Sequence, residues 1–344
     1  MKKIFFLIAI SSLFIFSCKK DKVKEVIIDP ATGQETKIKV NRFEDILFDQ
    51  NQKDLKAHLK ANYENYKPVF NTTLDDEEYF KVIQYFATDP NMISAYKTVK
   101  KTYPNLDWVS DEITTAFSLL LKEYPDTKIP KLYSIMFGPA EFSYSYSKRV
   151  LARKDFITFS IDLYSINSLQ ENKYYQQFPK YMMIMLDSEY LVPDIMNQYI
   201  RNLNEELPLM ELNPDASLCD IIVERGKYYY ALTKLLPNSS INSIFRYTKE
   251  QMQWVEDNEY NIWGLIIQNG LLYSKDRPKY MYLINEGPTT KGLKESPSRL
   301  GDYIGYKIVE KYMNETNKSL KEMLETQNAK EILNKSSYKP KKKN

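Results

Sequence analysis

The sequence predicts a predominantly helical α+β fold in which a small, mostly antiparallel sheet is flanked by helices. Three observations point there. Apolar residues recur at three- and four-residue spacing through most of the chain, the period of an amphipathic helix. Between Pro130 and Tyr164 that period gives way to β-branched and aromatic residues in partial alternation, interrupted by Gly-Pro and a basic turn. No internal repeat or long linker separates these textures, so 344 residues are expected to form one large domain or two coupled ones.

The elements follow in order. Met1, Lys2 and Lys3 precede the apolar run IFFLIAISSLFIF, which ends at Ser17 and Cys18 and is followed by the polar KKDKVKE. This is the pattern of a secretory signal. The run is too short for a hydrocarbon core of about 30 Å, which needs roughly 20 apolar residues. Cys18 sits after a small residue with Ile15 at the third position upstream, where a lipoprotein signal peptidase needs it, although Phe16 fits the usual box poorly. We therefore expect residues 1–17 to be a lipoprotein signal peptide, Cys18 to be lipidated, 18–40 to be a polar tether, 41–338 to be one helix-rich domain, and 339–344 to be a basic tail. Two or three acyl chains on Cys18, at about 0.8 kcal/mol per buried methylene, make such an anchor effectively permanent.

VNRFEDILF, from Val40, enters the folded part. Leu55, Leu59, Tyr63 and Tyr66 mark one helix face, and Tyr79, Val82, Ile83 and Phe86 mark the next. Asp89 followed by Pro90 is a helix start, and a third helix runs to about Thr102. A fourth runs from Asp107 to Glu123 before Pro125. KLYSIMFG, EFSYSYS and DFITFSIDLY are the expected strands. Helices resume after Lys180, with Pro193 expected to mark a break or a new start, and Ser217 to Leu236 is long and helical. Thr248 and Gln251 have capping-box spacing, and Gly270 is the matching C-terminal stop. An extended stretch is expected near Lys279 to Leu283, then a serine-capped helix in SPSRLGDYIGYKIVEKYM and two short amphipathic helices before Lys339.

Composition excludes several functions. With 48 basic and 45 acidic residues the chain lacks the strongly basic face that nucleic acid needs. Cys219 is the only cysteine besides Cys18, so lipidation of Cys18 leaves no internal disulfide. The single histidine, His58, cannot form an HExxH zinc site, and it lies in DLKAHLKAN as an ordinary, partly exposed helix residue. No metal, cofactor or catalytic residue is expected. The 28 tyrosines suit sugar stacking, but they accompany a general enrichment in Lys, Asn and Ile that reads as compositional bias.

Glu256 and Glu259 are three apart, and Asp220 and Glu224 four apart, so each pair shares a helix face. A glycosidase needs two carboxyls across a cleft, roughly 5 to 9.5 Å apart, and helical neighbours more often form a solvated face. Glu224 lies among Ile221, Ile222, Val223 and three tyrosines, where a carboxylate needs a partner. Trp254, Asn258 and Ile262 form a stripe, with Glu259 one turn before Trp263, and the tryptophans are core or groove-lining, core being favoured. Arg299 with Gly301 and Gly305 either cradles an anion at a helix start or lets another helix pack closely, and packing is favoured.

The order of ERGKYYYALTKLLP, YTKEQMQWVEDNEYNIW, LLYS, SPSRLGDYIGYKIVEKYM and SSYKPK, with NRFEDILF near the start, resembles the gliding motility lipoprotein B (GldB) family of the Bacteroidetes. The resemblance covers nearly all of the chain after the signal and is most specific from Glu224 to Met313. It implies an envelope lipoprotein with protein partners in a gliding or secretion machinery. It also implies a distant likeness to zinc peptidases, leaving open a degenerate zincin-like architecture. Here the counterpart of the HExxH helix, LVPDIMNQYI, has neither histidine, Glu224 and Gly226 stand where a later Glu-Gly segment would be, and of an Ile-Gly-Leu-Asp run only Asp162 matches.

The expected function is therefore a lipid-anchored, periplasm-facing, non-catalytic component of the gliding apparatus. The competing readings are a carboxylate-dependent hydrolase using Glu224, Glu256 or Glu259, and a glycan-binding lipoprotein with aromatic platforms.

Overall fold

The computed structural model describes residues 26–28, 35–48, 54–70, 72–138, 147–176, 179–203, 209–293 and 295–342. Cys18 and the expected strand EFSYSYS, except its last residue, lie outside them. A two-stranded ribbon, β1 (Ile27–Ile28) and β2 (Glu35–Thr36), leads into β3 (Val40–Arg42) and a helical block: α1 (Phe43–Phe48), α2 (Leu55–Tyr66), α3 (Glu77–Thr88), α4 (Pro90–Thr102) and α5 (Asp107–Glu123). Then come β4 (Lys131–Ile135), β5 (Val150–Ala152) and β6 (Phe156–Ser160). The remainder is helical: α6 (Lys180–Ile184), α7 (Ser188–Arg201), α8 (Leu218–Leu235), α9 (Ile241–Phe245), α10 (Lys249–Gln268), α11 (Arg277–Tyr280), α12 (Leu300–Thr316), α13 (Leu320–Glu325) and α14 (Ala329–Ser336).

The helix-dominated α+β class holds, while the sheet is mixed rather than mostly antiparallel. Its order is β3-β4-β6-β5, with β3–β4 and β4–β6 parallel and only β5–β6 antiparallel. Chain connection explains this. Among the described residues five helices separate β3 from β4, which is ample for the crossover that parallel pairing requires, whereas β5 and β6 are joined by a tight turn closed by the Arg153 amide on the Phe156 carbonyl at 2.8 Å.

Three local expectations are also corrected. Pro193 does not break the chain but lies inside α7. It sits close enough to the helix start that only the bond to the Glu189 carbonyl is lost, and it is buried. Residues 277–283 are not extended but form α11 and a following 3₁₀ turn, with Pro278 in the first turn and the buried Tyr280 hydroxyl donating to the Ala216 carbonyl at 3.2 Å. The helix at Leu300 has no serine cap: Arg299 occupies the cap position in a left-handed conformation, with φ at 59°. Elsewhere the caps stand where expected, with Asp89 accepting the first amides of α4, a full capping box at Thr248, and Gly270 at φ 63° beyond α10, and a further capping box opens α8 at Ser217.

A single buried cluster runs from Ile27 to Tyr338 and joins the sheet to the C-terminal helices. Within the segment expected as tether, Ile27 and Ile38 are buried, and Ser110, Thr114 and Ser118 of α5 bind the backbone of Ile38 and Val26. His58 is a half-buried residue of α2. Asp162 follows β6 and accepts from the Phe137 and Gly138 amides, the Ser160 hydroxyl and the Tyr175 hydroxyl, so it ties the end of β4 to the end of β6. The most extensive helix pair is α8 against α12, with α14 lying across both.

Candidate functional site

Helix α7 carries two stripes. Leu191, Val192, Ile195, Met196, Tyr199 and Ile200 enter the core, which leaves Asp194, Asn197, Gln198 and Arg201, spaced by three and four, on one other face. That face borders a cavity of about 310 Å³, whose opposite wall is built from Arg225, Tyr228 and Tyr229 of α8 and from Arg299 and Asp302 at the start of α12. Arg149, Glu211, Arg246 and Glu286 close it from the loops. Five guanidiniums and four carboxylates from distant parts of the chain thus share one pocket.

The charges alternate. Asp194 accepts from Arg149 Nε at 2.9 Å and from the Tyr164 hydroxyl at 2.6 Å, and lies 3.6 Å from Arg246. Burial pushes the Asp194 carboxyl up, but the Arg149 and Arg246 guanidiniums and the Tyr164 hydroxyl outweigh it and hold it below its ordinary value. Glu211 is gripped by Arg201 and by Arg225 (2.9 Å), which overcome its burial in the same way. Asp302 accepts from Arg225 at 3.1 Å and from the Tyr229 hydroxyl at 3.1 Å, and that hydroxyl accepts from Arg299 at 2.9 Å. Arg299 also donates to the Phe245 carbonyl at 2.8 Å, and its guanidinium lies 5.3 Å from the Tyr247 ring centre. Below these, Tyr229 stacks on Phe245 with ring centres 4.3 Å apart.

Asp194 and Glu211, held ionised by paired guanidiniums, accept hydrogen bonds but do not donate protons. These two carboxylates are therefore placed for ion pairing and not for general acid catalysis, which needs a carboxyl kept protonated near neutral pH. Among the described residues, no group of three or more His, Cys, Asp or Glu side chains is placed to hold a metal ion.

The sequence candidates are scattered by the fold. Arg299 enters the cavity, but Gly301 and Gly305 do not: a Cβ on Gly301 would meet Ile222 at 2.9 Å, and one on Gly305 would meet the Ile222 carbonyl oxygen at 1.7 Å. Gly226 faces Gly305 from the other side, so these glycines set how closely α8 and α12 approach. Glu224 borders a neighbouring cavity of about 200 Å³ with Lys227 and Tyr228, and accepts the Met210 amide at 2.9 Å. Its own helix neighbour Asp220 is occupied in the capping box. Glu259 accepts from the Tyr338 hydroxyl at 2.8 Å, and Trp263 meets the Tyr338 ring edge-on, which pins the C-terminal segment to α10. Trp254 and Trp263 are half-buried against the core, and the Asn258 side chain donates to the Trp254 carbonyl. The largest fully buried side chains include six tyrosines, which places much of the tyrosine content in the interior.

Sequence reasoning missed Arg149, Asp194, Arg201, Glu211, Arg225, Arg246 and Asp302 as members of a site. The one legible signal was the polar stripe of α7 opposite its apolar face.

Lys227 adds a measurable pH dependence. Its ammonium is buried and donates to the Leu324 and Thr326 carbonyls at 2.9 Å each, and burial pulls its pKa down to about 8 against a partial opposing pull from Glu224. The unfolded chain, with an ordinary lysine near 10.4, binds more protons between these values, so this group makes stability rise with pH across that window. The penalty is full below pH 8 and relieved toward the unfolded value. Relative to Lys227→Met, the native chain is expected to gain on the order of 3 kcal/mol between pH 7.5 and 10.5, as read by urea unfolding; parallel pH profiles for the two proteins refute this.

The family described as gliding motility protein GldB matches residues 24–340. No curated protein and no solved structure matches the chain. No helix among the described residues is long and apolar enough to cross a membrane.

Proposed function

Since the chain belongs to the gliding motility protein GldB family, we propose that it serves gliding motility as a lipid-anchored, periplasm-facing component that works by contact and not by catalysis. The match over residues 24–340 carries the reading, because it spans the whole folded part and not one segment of it. The N-terminal apolar run ending at Cys18 supports the anchor. The pairing of Asp194 and Glu211 with arginines supports a binding role for the arginine-lined cavity, since neither carboxylate is poised to give up a proton. Protein partners within the motility or secretion apparatus follow from this reading.

Replacing Cys18 with Ser should abolish incorporation of labelled fatty acid and spreading on agar, while growth stays near normal; gene deletion should abolish spreading as well. Normal spreading of the deletion strain would remove the motility role. Normal spreading of the Cys18→Ser strain alone would remove the lipid anchor from the account.

A further inference from the structure

We propose that the arginine-lined cavity holds a small ligand by an oxyanion, either a carboxylate or a phosphate group. The proposal rests on reading the cavity as a binding site, and it adds the chemistry of what is bound.

Charge balance is the first ground. Among the described residues, the five guanidiniums of Arg149, Arg201, Arg225, Arg246 and Arg299 line the cavity with the four carboxylates of Asp194, Glu211, Glu286 and Asp302. Glu286 is 42% exposed and 3.6 Å from Arg246, so water screens much of its charge. Among the described residues the guanidiniums lining the cavity thus outnumber the carboxylates by one, and the most exposed carboxylate is the one water screens most, which favours an anion over a cation.

The second ground is energetic. Buried ion networks seldom stabilise more than apolar packing of the same volume, so stability alone does not account for five guanidiniums converging on an open space. Two of them are delivered at a further cost: Arg246 and Arg299 have left-handed backbones, with φ of 55° and 59°. For residues other than glycine this conformation costs on the order of 1–3 kcal/mol. The Arg246 amide closes the end of α9 on the Asn242 and Ser243 carbonyls while its guanidinium donates to the Met185 carbonyl, and the Arg299 guanidinium donates to the Phe245 carbonyl.

Shape and chemistry agree. The planar fork of a guanidinium matches the paired oxygens of carboxylate and phosphate. A volume of about 310 Å³ stands at the small end of ligand cavities. A neutral sugar would call for a bare aromatic face, but the Tyr228 ring is covered by the Arg201 guanidinium at 5.6 Å.

The test is calorimetric titration of the detergent-solubilised full chain with inorganic phosphate and with N-acetylalanine, using N-acetylalaninamide as the uncharged control. Saturable binding of at least one anion and none of the amide is expected. Phosphate alone would identify a phosphoryl ligand, and N-acetylalanine alone a carboxylate ligand. Asn197→Asp places a negative charge in the wall without removing any arginine, and Arg201→Gln removes one positive charge while Glu211 keeps Arg225. Each should weaken binding at least about tenfold with circular dichroism unchanged. Should Arg201→Gln fail to fold, Asn197→Asp still decides. Absence of saturable binding by either anion, or equal affinity in the folded variants, overturns the proposal, and neither result would alter the motility phenotype on which the family-based reading depends.

Discussion

Gly305→Ala is expected to cost at least about 3 kcal/mol, at the upper end for overpacking, and to lower the melting temperature by several degrees. The methyl group would lie 1.7 Å from the Ile222 carbonyl oxygen and 2.5 Å from its carbon, both backbone atoms of α8 that no side-chain rotation can move. Helices α8 and α12 would have to separate, and with them Tyr229 and Asp302, whose hydrogen bond spans that interface. Gly301→Ala should cost less, because two of its three nearest contacts are side-chain methyl groups of Ile222 and Ile284. Gly264→Ala is the internal control. It lies within α10 with only the flexible end of Gln268 nearby at 3.9 Å, so it should stabilise by roughly 0.5–1 kcal/mol as the glycine entropy cost is removed. Thermal unfolding of the three variants checks the order, and a Gly305→Ala protein as stable as the Gly264→Ala one would contradict the packing described for α8 and α12.

Asp302→Ala is expected to cost about 3–5 kcal/mol, the usual penalty for removing one partner from a buried ion network. This carboxylate is almost wholly buried and serves Arg225, Arg299 and the Tyr229 hydroxyl. Its removal leaves two guanidiniums beside a surplus of positive charge. In an Arg225→Met background the same change should cost less, since one of the stranded charges is already gone; the difference is the coupling between the two. Urea unfolding of the four proteins of this cycle measures it. A loss below about 1 kcal/mol for Asp302→Ala, or no coupling, would mean that Asp302 does not compensate a buried charge of Arg225.

Much of the fold was legible because its signals are local. Asp89 with Pro90 and Thr248 with Gln251 announce their helices within four residues, and Gly270 announces an end, because each cap satisfies backbone groups of its own turn. The failures have the opposite character. Pro193 is tolerated inside α7 because tertiary burial of that helix outweighs one lost hydrogen bond, and Arg299 replaces a serine cap because its guanidinium is engaged by Tyr229 and by the Phe245 carbonyl. Of the candidate site, only Arg299 was picked out beforehand, and the glycines beside it serve packing.

By itself, the sequence determined the helical class, most helix boundaries, the apolar N-terminal run ending in Cys18, and the family. Each of these depends on neighbours a few residues apart or on the order of segments along the chain. Only the tertiary structure decided that the sheet is mixed and that the arginines meet. Parallel pairing joins β3 to β4 across five helices, and the ion pairs of the cavity join residues 45 positions apart at Arg149 and Asp194 and 77 apart at Arg225 and Asp302. No periodicity encodes such separations; they follow from how the apolar faces of the helices pack, which carries the opposite, charged faces to a common point.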